Sequence, residues 1–300
     1  MTIMSIEIIK NYRDIPEYRQ GFFELLPQVF PGVSFVEWYK RGCWDDRYRT
    51  YAVYDHAQQK MLANVAVSLM DIWINQQTLR GVQFSAVSTL SEARKKGYSR
   101  QLMQMILDEY APETDLFFLF ANPSVVDFYP LFGFREVKET LFQMAYPSQI
   151  TPAFAATQLD VDNSEQWKII TDFTANRQPI TQVFGASGEH NILNWSLLYG
   201  YKEWVWYLPE QEVIVIAETN EGVLHIYDIL YKKPWETLKL LEILPLVSQP
   251  NTHTIQFWFT PEKLRVDTQP VVADPESPFF VKGDFPLEGI PFKFPVMAQT

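Results

Sequence analysis

The chain has 300 residues, 47% hydrophobic and 20% charged, with a formal net charge of -11 at pH 7. This is the composition of a folded globular protein rather than a disordered one, and its acidic balance argues against a nucleic-acid partner, which selects for a basic stripe. A lone cysteine, Cys43, excludes an intrachain disulfide, and no apolar run approaches the ~20 residues of a membrane helix. The opening residues Met1 to Glu7 lack the basic start and apolar core of a secretory signal, so a cytoplasmic address is expected, with no membrane partner. At ~150 residues per domain the length allows two domains.

In chain order, Ile15 to Phe30 predicts a helix, with Tyr18, Phe22, Leu25, Leu26 and Val29 spaced for one apolar face. Gly32 to Asp46 reads as a loop. Tyr48 to Tyr54 and Met61 to Met70 read as strands joined by the polar turn Asp55 to Lys60, and Asn75-Gln76-Gln77 turns the chain toward a third strand, Val82 to Thr89. A short basic loop, Arg94-Lys95-Lys96-Gly97-Tyr98-Ser99, then enters a helix carrying Leu102, Met105, Ile106 and Leu107. The apolar strand Leu116 to Phe120 follows, then Asn122, Pro123 and the run Phe128 to Phe134.

Ala145 to Asp162, with Pro147 and Pro152, reads as a linker between domains at 1–147 and 148–300. Beyond it, Trp204 to Leu208, Val213 to Glu218 and Val223 to Tyr231 predict three strands, Trp235 to Leu244 a helix, and Thr254 to Phe259 a strand. That order repeats the one from Tyr48 to Phe120, which makes the second half a degenerate copy of the first. The proline-rich tail from Pro270 is expected to pack as extended segments with a final strand near Phe292 to Met297.

The strand-loop-helix at Val82 to Met103 suits a bound diphosphate. Backbone N–H groups at a helix start converge on one point, and the helix dipole adds positive potential there. Gly97 allows backbone conformations that other residues resist. Arg94, Lys95, Lys96 and Arg100 form a local positive cluster in an acidic chain. In the second half the corresponding stretch, Tyr231-Lys232-Lys233-Pro234-Trp235, has no glycine, and Pro234 lacks an N–H, so no second cofactor site is expected. His56, His190, His225 and His253 are not spaced with one another or with Cys43 as metal ligands, so no metal is expected.

Across Met1 to Pro147 the chain resembles the GCN5-related N-acetyltransferases. Their motif A, a strand followed by Gln/Arg-x-x-Gly-x-Gly/Ala, is matched by Arg94 and Gly97, with Ser99 in the last place. Their motif B is matched by Asn122 and by Tyr129, Gly133 and Phe134. The resemblance implies an α+β fold, a mixed central sheet flanked by helices, and acetyl-coenzyme A as co-substrate. It also implies transfer of the acetyl group directly to a primary amine of a small, cationic acceptor or a peptide. Val87, Ser88 and Thr89 would pair with the pantetheine arm, and Arg94, Lys95, Lys96, Gly97, Tyr98, Ser99 and Arg100 would hold the diphosphate. Asn122 would cap the splayed strand edge, and Tyr129 would protonate the leaving thiolate.

The run Val87-x-Thr89-Leu90-Ser91-x-x-Arg94 is similar to that of the multidomain enhanced-intracellular-survival-type enzymes, with Ser91 in place of their proline. Those enzymes also join a catalytic domain to a degenerate one, and in some a C-terminal carboxylate is the base, a role not carried over to Thr300. Asp71 and Glu92 are candidate bases, with water-relayed deprotonation as the default. Trp38 and Trp44 are candidates for an aromatic wall against the acceptor. Self-association is compatible with this reading. Two alternatives stay open: a non-catalytic coenzyme A-binding sensor or scaffold, and a transferase using another acyl donor.

Overall fold

The structure is a computed structural model that describes residues 5–151, 156–233, 239–272 and 277–300. The first half contributes β1 (Ile6–Lys10), α1 (Pro16–Val29), α2 (Val36–Lys40), β2 (Tyr48–Asp55), β3 (Lys60–Ile74) and β4 (Gln77–Thr89). It continues with α3 (Tyr98–Tyr110), β5 (Leu116–Phe120), β6 (Arg135–Val137) and β7 (Leu141–Ala145). The second half contributes β8 (Thr157–Gln158), α4 (Ser164–Asn176), β9 (Phe184–Ser187), α5 (His190–Tyr199) and β10 (Val205–Leu208). It ends with β11 (Val213–Asn220), β12 (Val223–Tyr231), α6 (Leu240–Val247), β13 (Thr254–Phe257), β14 (Gln269–Val271) and β15 (Phe279–Gly283).

Two mixed sheets share one plan. The first runs β1-β2-β3-β4-β5-β15-β6, with β9 paired to β3, and the second runs β8-β10-β11-β12-β13-β7-β14. In each, an antiparallel meander ends in one parallel pair, β4 with β5 and β12 with β13. A parallel neighbour needs a crossover, and α3 and α6 supply the two. The repeated order expected from the sequence is therefore present in the ladders.

The sheets do not divide at 147/148. β7, from the first half, lies between β13 and β14 of the second sheet, and β15, from the tail, lies between β5 and β6 of the first. Leu116, Phe117, Phe118 and Leu119 of β5 are all buried, so this strand needs partners along both edges, and β15 fills the one that β4 leaves open.

Several expected elements are corrected. The stretch Phe292 to Met297 is no strand: Phe292, Phe294 and Met297 are fully buried, and the chain ends in a 3-10 turn at Val296–Ala298. Its alternating pattern reads as a strand, but Pro291 and Pro295 remove the donors a ladder needs. Of the helix expected over Trp235 to Leu244, residues 234–238 lie outside the described residues, and α6 begins at Leu240. The expected linker ends β7 at Ala145 and contains β8, while its residues 152–155 lie outside the described residues. The Gly32 to Asp46 loop contains the short helix α2.

The helix expected from Ile15 begins one residue later, at Pro16, where the missing N–H costs nothing because the first helical turn has no acceptor for it. α1 buries Phe22, Leu25 and Leu26.

Candidate active site

β4 pairs with β5 only from Gly81 to Phe84, whereas its pairing with β3 runs on to Thr89. Past Phe84 the two parallel strands part, and the β5-facing edge of Ser85 to Thr89 has no ladder partner among the described residues. The register of β4 against β3 also shifts here, with Ala66 opposite Ser85 but Asn64 opposite Ser88. This bulge puts Ala86 at φ 47°, a left-handed conformation that an alanine resists. The buried Asn64 holds it. Its Nδ2 donates to the Ala86 carbonyl at 3.0 Å, and its Oδ1 accepts from the hydroxyl of the buried Tyr12.

α3 begins next to this edge. Its N-cap is Gly97 at φ 83°, which leaves the first turn of N–H groups without a capping side chain. An added Cβ at Gly97 would meet nothing within 4 Å, so glycine is required there by the backbone and not by a neighbour. The Ser99 and Thr89 hydroxyls hydrogen bond at 2.5 Å, tying the helix start to the end of β4. A groove runs along this junction, lined by Val87, Thr89, Arg94, Lys95, Gly97, Tyr98, Ser99, Arg100, Asn122 and Tyr129 among others. It has basic side chains and no acidic one.

At Val87, Asn122 and Tyr129 the groove meets a second, aromatic-walled cavity of about 290 Å³. Asn122 caps the 3-10 helix that follows it, its Oδ1 accepting from the Ser124 N–H at 2.9 Å. Tyr129 packs on Phe128, Phe134 and Phe280. Burial pushes its phenol up to about 12, so it keeps its proton at any physiological pH. Thr300 and Gln299 close the cavity from the tail. The buried Gln83 of β4 pins that tail: its Nε2 donates to the Ala298 carbonyl at 2.8 Å, and its Oε1 accepts from the Thr300 N–H at 2.8 Å.

Some of the expected site residues lie elsewhere. Trp38 lines the cavity, but Trp44 does not: it is buried beside it, its Nε1 donating to the Tyr48 carbonyl at 3.2 Å. Asp71 sits on β3 opposite Ser187 of β9, beside Arg47 at 3.7 Å, outside both groove and cavity. Glu92 accepts from the Lys60 ammonium at 2.5 Å, which holds its carboxyl down at about 2 and makes it a weaker base, and it lies outside both groove and cavity. Ser88 is buried on the opposite face of β4 from Val87 and Thr89, and Lys96 is exposed outside the groove lining.

The sequence reading missed Asn64, Gln83, Asn191 and Trp195. The last two come from α5, for which no element was expected. Buried amides within apolar strands were the available signal for Asn64 and Gln83. Among the described residues no group of three or more His, Cys, Asp or Glu is placed to hold a metal, and no helix is long and apolar enough to cross a membrane.

Residues 12–137 match the family model described as an acetyltransferase (GNAT) domain. Among solved structures, a protein of unknown function from Enterococcus faecalis, described as a probable N-acyltransferase, matches with a TM-score of 0.60 at 13% identity. It covers 92% of this chain and 72% of its own. A GCN5-related N-acetyltransferase from Anabaena variabilis has a TM-score of 0.56 at 14% identity, with coverages of 92% and 72%. Eis1 from Mycobacterium abscessus has 0.54 at 12%, with coverages of 92% and 73%. At these identities the likeness is one of fold. No curated protein matches the chain. The family match spans the bulged strand, the uncapped helix start and Tyr129, so residues 12–137 are similar to a GNAT acetyltransferase domain, and the fold is like that of Eis1.

Proposed function

We propose that this protein is an acetyl-coenzyme A-dependent N-acetyltransferase that acts in the cytoplasm on a primary amine of a small molecule or peptide. The observation that carries this reading is the meeting of a basic groove and a partly open, aromatic-walled cavity at Val87, Asn122 and Tyr129. The groove fits the co-substrate on its own features: an uncapped helix N-terminus flanked by Arg94, Lys95 and Arg100 for a diphosphate, and the free edge of β4 for an amide-bearing arm.

Acetyl-coenzyme A, when bound, supplies a thioester whose C–S bond is exchanged for an N–C bond to the acceptor amine. The residues of the chain do the rest. The β4 edge past the Ala86 bulge orients the arm and offers backbone N–H groups near the reacting carbonyl. Tyr129, protonated at neutral pH, donates its proton to the departing sulfur. The proton lost from nitrogen leaves through water, which also returns one to the Tyr129 oxygen; no Asp or Glu side chain lines either the groove or the cavity.

The test is a titration with acetyl-coenzyme A read by thermal shift, followed by an amine screen read by thiol release. A saturable rise in Tm and amine-dependent thiol release are expected. A Tm unmoved at millimolar ligand would overturn the reading, because a ligand at 100 times its Kd should add ~2.7 kcal/mol of stability.

A further inference from the structure

Among the described residues ten that are not glycine have positive φ, and nine of these are polar side chains in turns or loops. Ala86 alone sits inside a strand. The second sheet supplies a comparison within the same chain. β12, the counterpart of β4, also bulges: Ile216 faces Asp228 but Ala217 faces Ile226, so Tyr227 is the extra residue. Tyr227 keeps φ negative, and no glycine loop follows its strand. The topology therefore tolerates an ordinary bulge at this place, and the left-handed one occurs only beside the groove.

Such strain persists where neighbours over-determine it, and two fully buried side chains do so here. Asn64 Nδ2 donates to the Ala86 carbonyl at 3.0 Å, and Asn64 Oδ1 accepts from the Tyr12 hydroxyl at 2.5 Å. A carbonyl only accepts, so the amide can face Ala86 in one orientation alone. Burial pushes the Tyr12 phenol well above its usual range, so it keeps the proton that it donates. Neither side chain lines the groove or the cavity, whereas Val87 lines both. No described residue of β3 or β5 stands in register with Val87.

We infer that Asn64 and Tyr12 are positioning residues that aim the Val87 N–H at the thioester carbonyl. This rests on the reading of the groove as the coenzyme A site. The peptide between Ala86 and Val87 is planar and trans, so its N–H points away from its carbonyl. With that carbonyl drawn to Asn64, the N–H is turned toward the unpaired edge of β4. Three donors then act in series: Tyr12 O–H on Asn64, Asn64 N–H on Ala86, and Val87 N–H on the thioester oxygen. Each bond polarises the next, so a pair in the core strengthens the donor that meets the charge developing on that oxygen. No proton moves along this series.

The experiment uses the full chain and titrates it calorimetrically with acetyl-coenzyme A and with S-ethyl-coenzyme A, a thioether of similar size without the carbonyl oxygen. The parent should prefer acetyl-coenzyme A about fivefold, the factor that one net hydrogen bond supplies. The infrared carbonyl band of bound, carbonyl-13C-labelled acetyl-coenzyme A should also move to lower wavenumber than in water. Asn64→Leu should lose both the preference and the band shift while binding S-ethyl-coenzyme A as the parent does. Tyr12→Phe removes one oxygen, should lose part of each, and carries the test should Asn64→Leu not fold. The inference is overturned if the parent shows neither preference nor band shift, or if both variants keep them. It is also overturned if S-ethyl-coenzyme A weakens in step with acetyl-coenzyme A, since the pair would then only support the fold. A parent that binds neither ligand overturns the reading of the groove itself, and one that binds both confines any failure to this inference.

Discussion

The side-chain amide of Asn64 donates to the carbonyl of Ala86 at 3.0 Å, and so a residue on β3 maintains the left-handed bulge on β4 where that strand parts from β5. Replacing Asn64 by Leu would leave the Ala86 carbonyl without its donor and the Tyr12 hydroxyl with only the weak Met61 sulfur acceptor, at a cost of about 1–3 kcal/mol. Urea denaturation would measure it. Ala86→Val should lose about 1–2 kcal/mol, because a β-branched residue resists positive φ, while Ala86→Gly should be at least as stable as the parent. An Ala86→Val protein of unchanged stability would contradict the strained bulge.

Gly97 separates backbone demand from crowding. Its φ is 83° and an added Cβ has open space, so even Gly97→Ala should suffer. An alanine resists that conformation by ~1–2 kcal/mol. If the loop relaxes to avoid this, acetyl-coenzyme A should bind about tenfold more weakly, as read by calorimetric titration. Equal affinity in Gly97→Ala would mean that the loop geometry does not matter to the ligand.

Tyr129→Phe removes the proposed proton donor but keeps the ring contacts with Phe128, Phe134 and Phe280. A drop in kcat of about 10²-fold with little change in acetyl-coenzyme A affinity is expected. The pH profile has a defined sign. Burial raises the Tyr129 pKa to about 12, so the proton-bearing form persists through alkaline pH and is lost only above that value. In the parent enzyme kcat/KM should climb as the acceptor amine loses its proton and should not fall below about pH 11. A descending limb near pH 9 would assign the acid role to another group.

Arg177 anchors the part of the second half that feeds the cavity. It follows α4 and binds Asp228 of β12 through both Nη atoms, at 2.5 and 2.8 Å, with Glu189, just before α5, at 3.7 Å from Nε. All three side chains are nearly inaccessible. Arg177→Met would strand two buried carboxylates and should cost about 3–5 kcal/mol in urea denaturation, against little for the exposed pair Lys168–Glu165. Because α5 carries Asn191 and Trp195, acceptor KM should rise before acetyl-coenzyme A affinity changes.

Local chemistry by itself determined the strand-loop-helix around Gly97, the meander before it, the parallel strand after it and the placement of Asn122 and Tyr129. Each rests on residues close in sequence: a glycine at a helix start, an apolar run, a turn such as Asn75-Gln76, whose two residues do take positive φ. The repeat in the second half was legible for the same reason. What only the tertiary structure decided is which strand fills each sheet and which residues line the cavity beside the groove. β7 and β15 change places between halves because any short apolar strand satisfies an open edge, and pairing across about 110 residues for β7 and about 160 for β15 leaves no local mark. The cavity likewise joins Trp38, Tyr48 and Ser85 to Asn191, Trp195 and Thr300, residues that share no motif and meet only because the two halves interlock. Asp71 and Trp44 show the converse: a carboxylate at a strand end and a tryptophan near the right helix are plausible by type, and packing turned both elsewhere.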